Sequence, residues 1–170
     1  MKIINKSLGN IHNGYDVENK RLDFVDLQWF EATRRVQVKK SRAGLTVGIR
    51  FLGLAQRLHD GDVLLCERGS LLIVNILETK VILIKMQSII QMSILSFEIG
   101  NRHIPLFISD NGLMMAFEQT IFNWLSSKGV QMEVKMQKLV NQLDANNSKI
   151  STASGKAYLR PKIKLTIAKN

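Results

Sequence analysis

Little in this chain points to chemistry carried by a local motif. A single cysteine, Cys66, stands among 170 residues. That excludes a disulfide framework and any cysteine-rich zinc site. No apolar run reaches the length that spans a bilayer, and the strongest, Val81 to Ile84, is broken at once by Lys85. The opening Met1-Lys2-Ile3-Ile4-Asn5 lacks the long apolar core of a signal peptide. The phosphate-binding G-x-x-x-x-G-K-[ST] is missing too, since Ser154-Gly155-Lys156 has no upstream glycine. There is no H-E-x-x-H, C-x-x-C, G-x-G-x-x-G or G-x-S-x-G. The expectation is a soluble, cytoplasmic protein that is not an enzyme.

What is present is globular in composition, with 45% hydrophobic and 22% charged residues. The length allows one large or two small domains. Lys and Arg number 24 against 14 Asp and Glu, a net charge of +10. Such a balance favours nucleic acid, an anionic surface or an acidic protein as partner. From Val140 onward six basic residues (Lys149, Lys156, Arg160, Lys162, Lys164, Lys169) face one acid, Asp144, so half of the excess lies in the tail.

The patterning divides the chain. The first 22 residues read as polar and irregular. Val36 and Val38 then alternate with polar neighbours, as do Leu45, Val47, Ile49 and Phe51, predicting two half-buried strands joined by a hairpin at Gly44. Asp60-Gly61-Asp62 is a tight turn, Val63 to Leu65 a short strand, Arg68-Gly69-Ser70 a second turn, and Leu71 to Ile76 a buried strand. Residues 1–77 are thus expected to form a small β-rich domain. In residues 80–142 the order changes to strand (Val81 to Ile84), helix (capped by Ser88, stopped at Gly100 and Asn101), strand (Ile104 to Ile108), strand (Leu113 to Phe117), helix (Glu118 to Lys128) and strand (Val130 to Met136). That β-α-β-β-α-β order predicts a ferredoxin-like sandwich and an α+β chain. Residues 143–170 read as a flexible basic tail, with an alternating stretch from Ile163 to Ile167.

The first helix has apolar residues on two sides. At 100° per residue Ile89, Ile90, Ile94 and Phe97 share one face and are expected to pack on the sheet. Met92, Leu95 and Ile99 share the opposite face and are read as an exposed stripe suited to a C2 dimer. His103 follows, projecting about 45° from the centre of that stripe. One histidine is not a metal site, but two across a two-fold axis would offer two imidazoles to one ion, and imidazole suits nickel, copper and zinc. The other titratable candidates are blander: Cys66 as a small core residue, His59 as an exposed turn residue, and His12 unplaced.

The charge keeps other readings open. A basic module binding nucleic acid is one. RNA-binding domains of this element order stack bases on sheet aromatics, yet the predicted central strands here carry only Phe117.

At Gly100-Asn101-Arg102-His103-Ile104-Pro105-Leu106 the sequence resembles the urease accessory protein UreE family, the nickel metallochaperones. The Gly-Asn-Arg-His run after a helix is the hallmark. Asp60-Gly61-Asp62-Val63-Leu64 is similar to the family's Asp-Gly-Asp turn, Phe24 to Glu31 to the opening of its ε-proteobacterial type, and Lys128-Gly129-Val130 to the end of its second helix. The resemblance covers about residues 20–140. It implies an N-terminal domain for protein contacts and a homodimer binding Ni²⁺ between paired copies of His103. It further implies delivery of that Ni²⁺ to apo-urease together with the accessory GTPase UreG and its partner proteins. Zn²⁺ or Cu²⁺ binding in vitro would follow from the same ligand. Where many members carry a second histidine pair this chain has Leu113-Met114-Met115-Ala116-Phe117, and from Leu143 onward it has no histidine. A member that has lost its metal and persists as a scaffold in the urease assembly is the further alternative.

Overall fold

The computed structural model describes residues 1–51, 57–85 and 88–143. The basic tail, including Ile163 to Ile167, lies outside the described residues.

Up to Ile76 the regular structure of the described chain is β, apart from two short helical turns at Ile11–Asn13 and Trp29–Glu31. Strands β1 (Lys2–Ile4), β4 (Val36–Lys40) and β5 (Thr46–Arg50) form one sheet in the order β1-β5-β4, with β1 parallel and β4 antiparallel to β5. Strands β2 (Gly9–Asn10), β3 (Arg21–Leu27), β6 (Asp62–Glu67) and β7 (Ser70–Ile76) form a second sheet in the order β2-β6-β7-β3. The two sheets share a core. Ile4, Val47 and Ile49 from the first meet Val25, Leu27, Leu72, Val74 and Ile76 from the second. The second sheet is buried on both faces: Leu72, Val74 and Ile76 of β7 enter this core, while Leu71 and Ile73 pack with Val63 against Ile11, Tyr15 and Phe24 on the other side.

The rest forms a four-stranded antiparallel sheet with two helices. Its elements are β8 (Glu78–Lys85), α1 (Ile89–Asn101), β9 (Phe107–Ser109), β10 (Gly112–Ala116), α2 (Gln119–Ser127) and β11 (Met132–Lys138). The strand order is β11-β8-β10-β9, so the two strands expected to be central are central. Ile82, Ile84, Leu113 and Met115 on one sheet face join Leu95, Ile99 and Leu125 of the helices in one apolar cluster. On the other face Val81, Leu83, Phe107 and Met114 pack with Leu139 and with Trp29 from the N-terminal half. The Trp29 ring meets Phe107 edge to face, with centroids 5.5 Å apart.

A polar chain ties the halves together beside this contact. Lys138 Nζ donates to Asp60 Oδ1 at 2.9 Å and to Asn75 Oδ1 at 2.9 Å. Asn75 Nδ2 donates to Asp26 Oδ1, which also takes one arm of the bidentate Arg42 guanidinium. That guanidinium holds the Asp26 carboxyl below its usual range.

Five expectations need correction. The first 22 residues are not irregular throughout: β1, β2 and the start of β3 lie there. Val36 and Val38 point outward and Gln37 inward, because alternation fixes a period and not which phase faces the core. Cys66 is exposed, near the end of β6, beyond a register shift between Val63 and Leu65. Helix α1 continues through Gly100 and Asn101. The faces of α1 are exchanged. Leu95 and Ile99 are buried and Met92 packs against the same cluster, so these three are not an exposed dimer stripe. Ile89, Ile90, Ile94 and Phe97 face solvent instead, Ile89 at 81% and Phe97 at 70% exposure. The physical reason lies in the turn after α1, which brings Ile99 and Ile104 into the same apolar cluster and so turns the Leu95 and Ile99 face inward.

Candidate metal centre

Helix α1 begins where Ser88 Oγ accepts the backbone N–H of Gln91 at 3.1 Å. Its other end closes in a Schellman motif. The His103 N–H donates to the Gly100 carbonyl at 2.9 Å and the Ile104 N–H to the Ile99 carbonyl at 3.4 Å. Ile104 then packs in the same cluster as Ile99, which supplies the apolar contact of that motif. The motif demands a left-handed residue at its turning point, and His103 occupies it with φ of 57°. Glycine is the usual residue there, and an L-residue pays about 1 kcal/mol for the conformation. The chain thus holds an exposed imidazole, at some strain, just past the C-terminal end of α1.

The neighbouring cation is turned elsewhere. The Arg102 guanidinium lies 4.4 Å from the centroid of the Trp124 ring of α2, and Lys128 Nζ lies 5.3 Å from the same centroid. Lys128 is also paired with Glu98 of α1 at 2.7 Å.

The other histidines belong to a different locale. His12 Nε2 is 3.5 Å from Asp60 Oδ2, and His59 Nδ1 is 3.6 Å from Asp62 Oδ2. These carboxylates already serve the fold. Asp60 accepts from Lys138 and from the Ile76 N–H, and Asp62 from Asn10 Nδ2 and the His59 N–H. His59 is exposed, as expected of a turn residue. Among the described residues no three His, Cys, Asp or Glu side chains converge as a metal cage. His103 therefore offers one nitrogen ligand from one chain, and a complete shell around an ion would draw the remaining ligands from water, a second copy or a partner.

Sequence reasoning placed His103 correctly after the helix and missed its left-handed conformation. The available signal was the spacing: Ile99 and Ile104 are both apolar and stand at the two positions that a Schellman turn brings together.

The comparisons with known proteins bear on this arrangement. A family model described as the UreE urease accessory protein, N-terminal domain, matches residues 4–77. The chain is 37% identical over 139 residues to the urease accessory protein UreE of Flavobacterium johnsoniae, covering 82% of this chain and 84% of that protein. It is 35% identical over 144 residues to the Acetivibrio thermocellus protein of the same name, covering 85% and 93%. It is 33% identical over 144 residues to that of Helicobacter acinonychis, covering 81% and 82%. Fold and relatives together define an accessory protein of urease maturation. The chain belongs to the UreE family. Among the described residues no helix is long and apolar enough to cross a membrane.

Proposed function

We propose that this protein is a nickel metallochaperone, cytoplasmic and without an activity of its own, that carries Ni²⁺ to apo-urease. On this reading His103 is the metal ligand and the working unit is a homodimer. The outward face of α1 (Ile89, Ile90, Ile94 and Phe97) would form the dimer contact in place of the buried Met92, Leu95 and Ile99. A two-fold axis near the C-terminal end of that face brings two His103 imidazoles to one ion. Two neutral imidazoles with water make an incomplete shell, from which an acceptor can draw the ion by ligand exchange. UreG and the urease apoprotein with its accessory partners are the proposed receivers. Residues 80–142 act as the ferredoxin-like metal-binding domain, residues 1–77 as the domain for protein contacts, and residues 143–170 as a basic tail.

The observation that carries this reading is His103 itself. An exposed imidazole is kept where glycine would be more stable, and packing gives no reason for it. The test is a calorimetric Ni²⁺ titration with the oligomer mass recorded alongside. The useful variant is His103→Gly, because glycine accepts the left-handed turn and alanine does not. The expected result is one Ni²⁺ per wild-type dimer and none for the variant, with Zn²⁺ or Cu²⁺ competing. Undiminished binding by His103→Gly would remove His103 as the ligand. A wild-type dimer that binds no Ni²⁺ would favour the metal-free scaffold. Phe97→Glu should yield a monomer and lose the ion with it.

A further inference from the structure

The net charge of +10 has no use in holding a cation, so it points to something else the molecule binds. The outer face of the β1-β5-β4 sheet is where charge and apolar surface meet. Its inner face is core, but Ile3, Val36 and Val38 stand exposed on the outer one. Ile3, Gly48 and Val38 form one row across the three strands. Gly48 keeps the row flat: a Cβ there would come within 2.9 Å of Ile3 Cδ1. Along β4 the outward residues are Val36, Val38 and Lys40, and the register partner of Val36 is Arg50. Cations therefore stand on either side of that row, at levels about 13 Å apart along the strand direction. Lys40 and Arg50 are exposed, and their side chains engage no ion pair or hydrogen bond among the described residues. None of the three strands contains an acidic residue. Strand β4 is also an edge, pairing with β5 alone among the described residues.

We propose that the free edge and outer face of β4 receive an extended, acidic segment of a partner protein. The segment adds a strand beside Val36–Lys40, sets apolar side chains on Val36, Val38 and Ile3, and places carboxylates about four residues apart on Lys40 and Arg50. Strand addition supplies the main-chain hydrogen bonds, and the side chains supply the selection. Two other occupants fit less well. A nucleic acid would want aromatic platforms and a continuous cationic track, whereas this face has aliphatic side chains between two isolated cations. A second copy paired about a two-fold axis at Val38 would set Lys40 of each chain opposite Val36 of the other, at the level of Arg50 one strand further in, and so gather like charges.

The test is a backbone-amide NMR titration of the metal-free full chain with the blocked peptide Ser-Glu-Thr-Val-Thr-Glu-Ser. Saturable shifts at the Val36–Lys40 amides are expected, with affinity falling as salt rises. Affinity should drop at least about tenfold when both peptide glutamates become lysine, or in the Lys40→Glu/Arg50→Glu variant. Val38→Thr, which keeps a β-branched side chain and so the strand, should weaken binding as well. Equal binding of the acidic and basic peptides, or shifts confined elsewhere, would overturn the proposal. So would a duplex oligonucleotide that shifts these amides when the peptide does not, or a Val38-dependent doubling of mass. The same titration on His103→Gly should be unchanged, so this surface and the nickel site stand or fall separately.

Discussion

Helices α1 and α2 end in the same way and differ in everything before the end. In α2 the Gly129 N–H donates to the Ser126 carbonyl at 3.0 Å and the Val130 N–H to the Leu125 carbonyl at 3.3 Å. Those are the two bonds that close α1, residue for residue. At the left-handed position α2 has Gly129, with φ of 68°, and α1 has His103. The body of α2 has one apolar stripe, and Ile121, Phe122, Trp124 and Leu125 all reach the core cluster. The body of α1 is apolar on both sides, and only one side has a sheet to cover. The comparison separates two requirements. Folding asks each helix for one apolar face and a turning residue. In α1 the second apolar face and the histidine both exceed what folding asks.

The largest effect expected from this comparison is on stability. Ile99→Ala in α1 and Leu125→Ala in α2 should each cost about 3 kcal/mol, since both side chains are fully buried in one cluster. Ile94→Ala on the outward face of α1 should change stability by less than about 0.5 kcal/mol. Urea denaturation of dilute, metal-free protein measures all three without a contribution from association. A large loss from Ile94→Ala under those conditions would mean that the outward face packs within the single chain and would undo the contrast.

The same two helices show how much was legible beforehand. In α2 the single stripe left only one way to dock, and the helix expected over Glu118 to Lys128 is found at Gln119–Ser127. In α1 two stripes were equivalent by periodicity, and the choice fell on the wrong one. The deciding information was the closing turn, in which Ile99 and Ile104 must meet. The N-terminal half follows the same logic. Strands β5, β6 and β7 were readable because their apolar residues are continuous or flank clear Gly turns. Strand β3 was missed because Asp23 and Asp26 interrupt it, and both are retained for partners distant in sequence: Asp23 for the Ala43 N–H, Asp26 for Arg42 and Asn75. The phase of β4 was likewise beyond a local pattern. Gln37 is buried with its Nε2 donating to the Glu31 carbonyl, a contact made by the short helical turn Trp29–Glu31.

An exchange of the two turning residues probes the helix ends at a smaller scale. His103→Gly should stabilise the metal-free chain by about 1 kcal/mol, and Gly129→His should destabilise it by a similar amount. The second change meets no obstruction, since nothing lies within 4 Å of a Cβ built at Gly129. Its effect would therefore report the backbone conformation alone. If His103→Gly proved neutral or destabilising, the imidazole would be contributing to the fold, and the argument that it is kept for another purpose would fail.

The smallest effect concerns the contact that joins the two helix ends. Arg102 stacks on Trp124, and Lys128 approaches the same ring while paired with Glu98. Arg102→Ala should cost about 0.5 kcal/mol in the wild-type background and almost nothing in a Trp124→Leu background, because the cation then has no ring to rest on. The more informative readout is nickel. While stacked, the guanidinium is held against α2, so freeing it by Trp124→Leu lets a mobile positive charge approach the residue beside it. On the proposed site at His103, nickel affinity should fall in Trp124→Leu and recover when Arg102→Ala is added. A fall that the second change does not reverse would mean that the ring matters through packing of α2, and that the stacking does not shield His103.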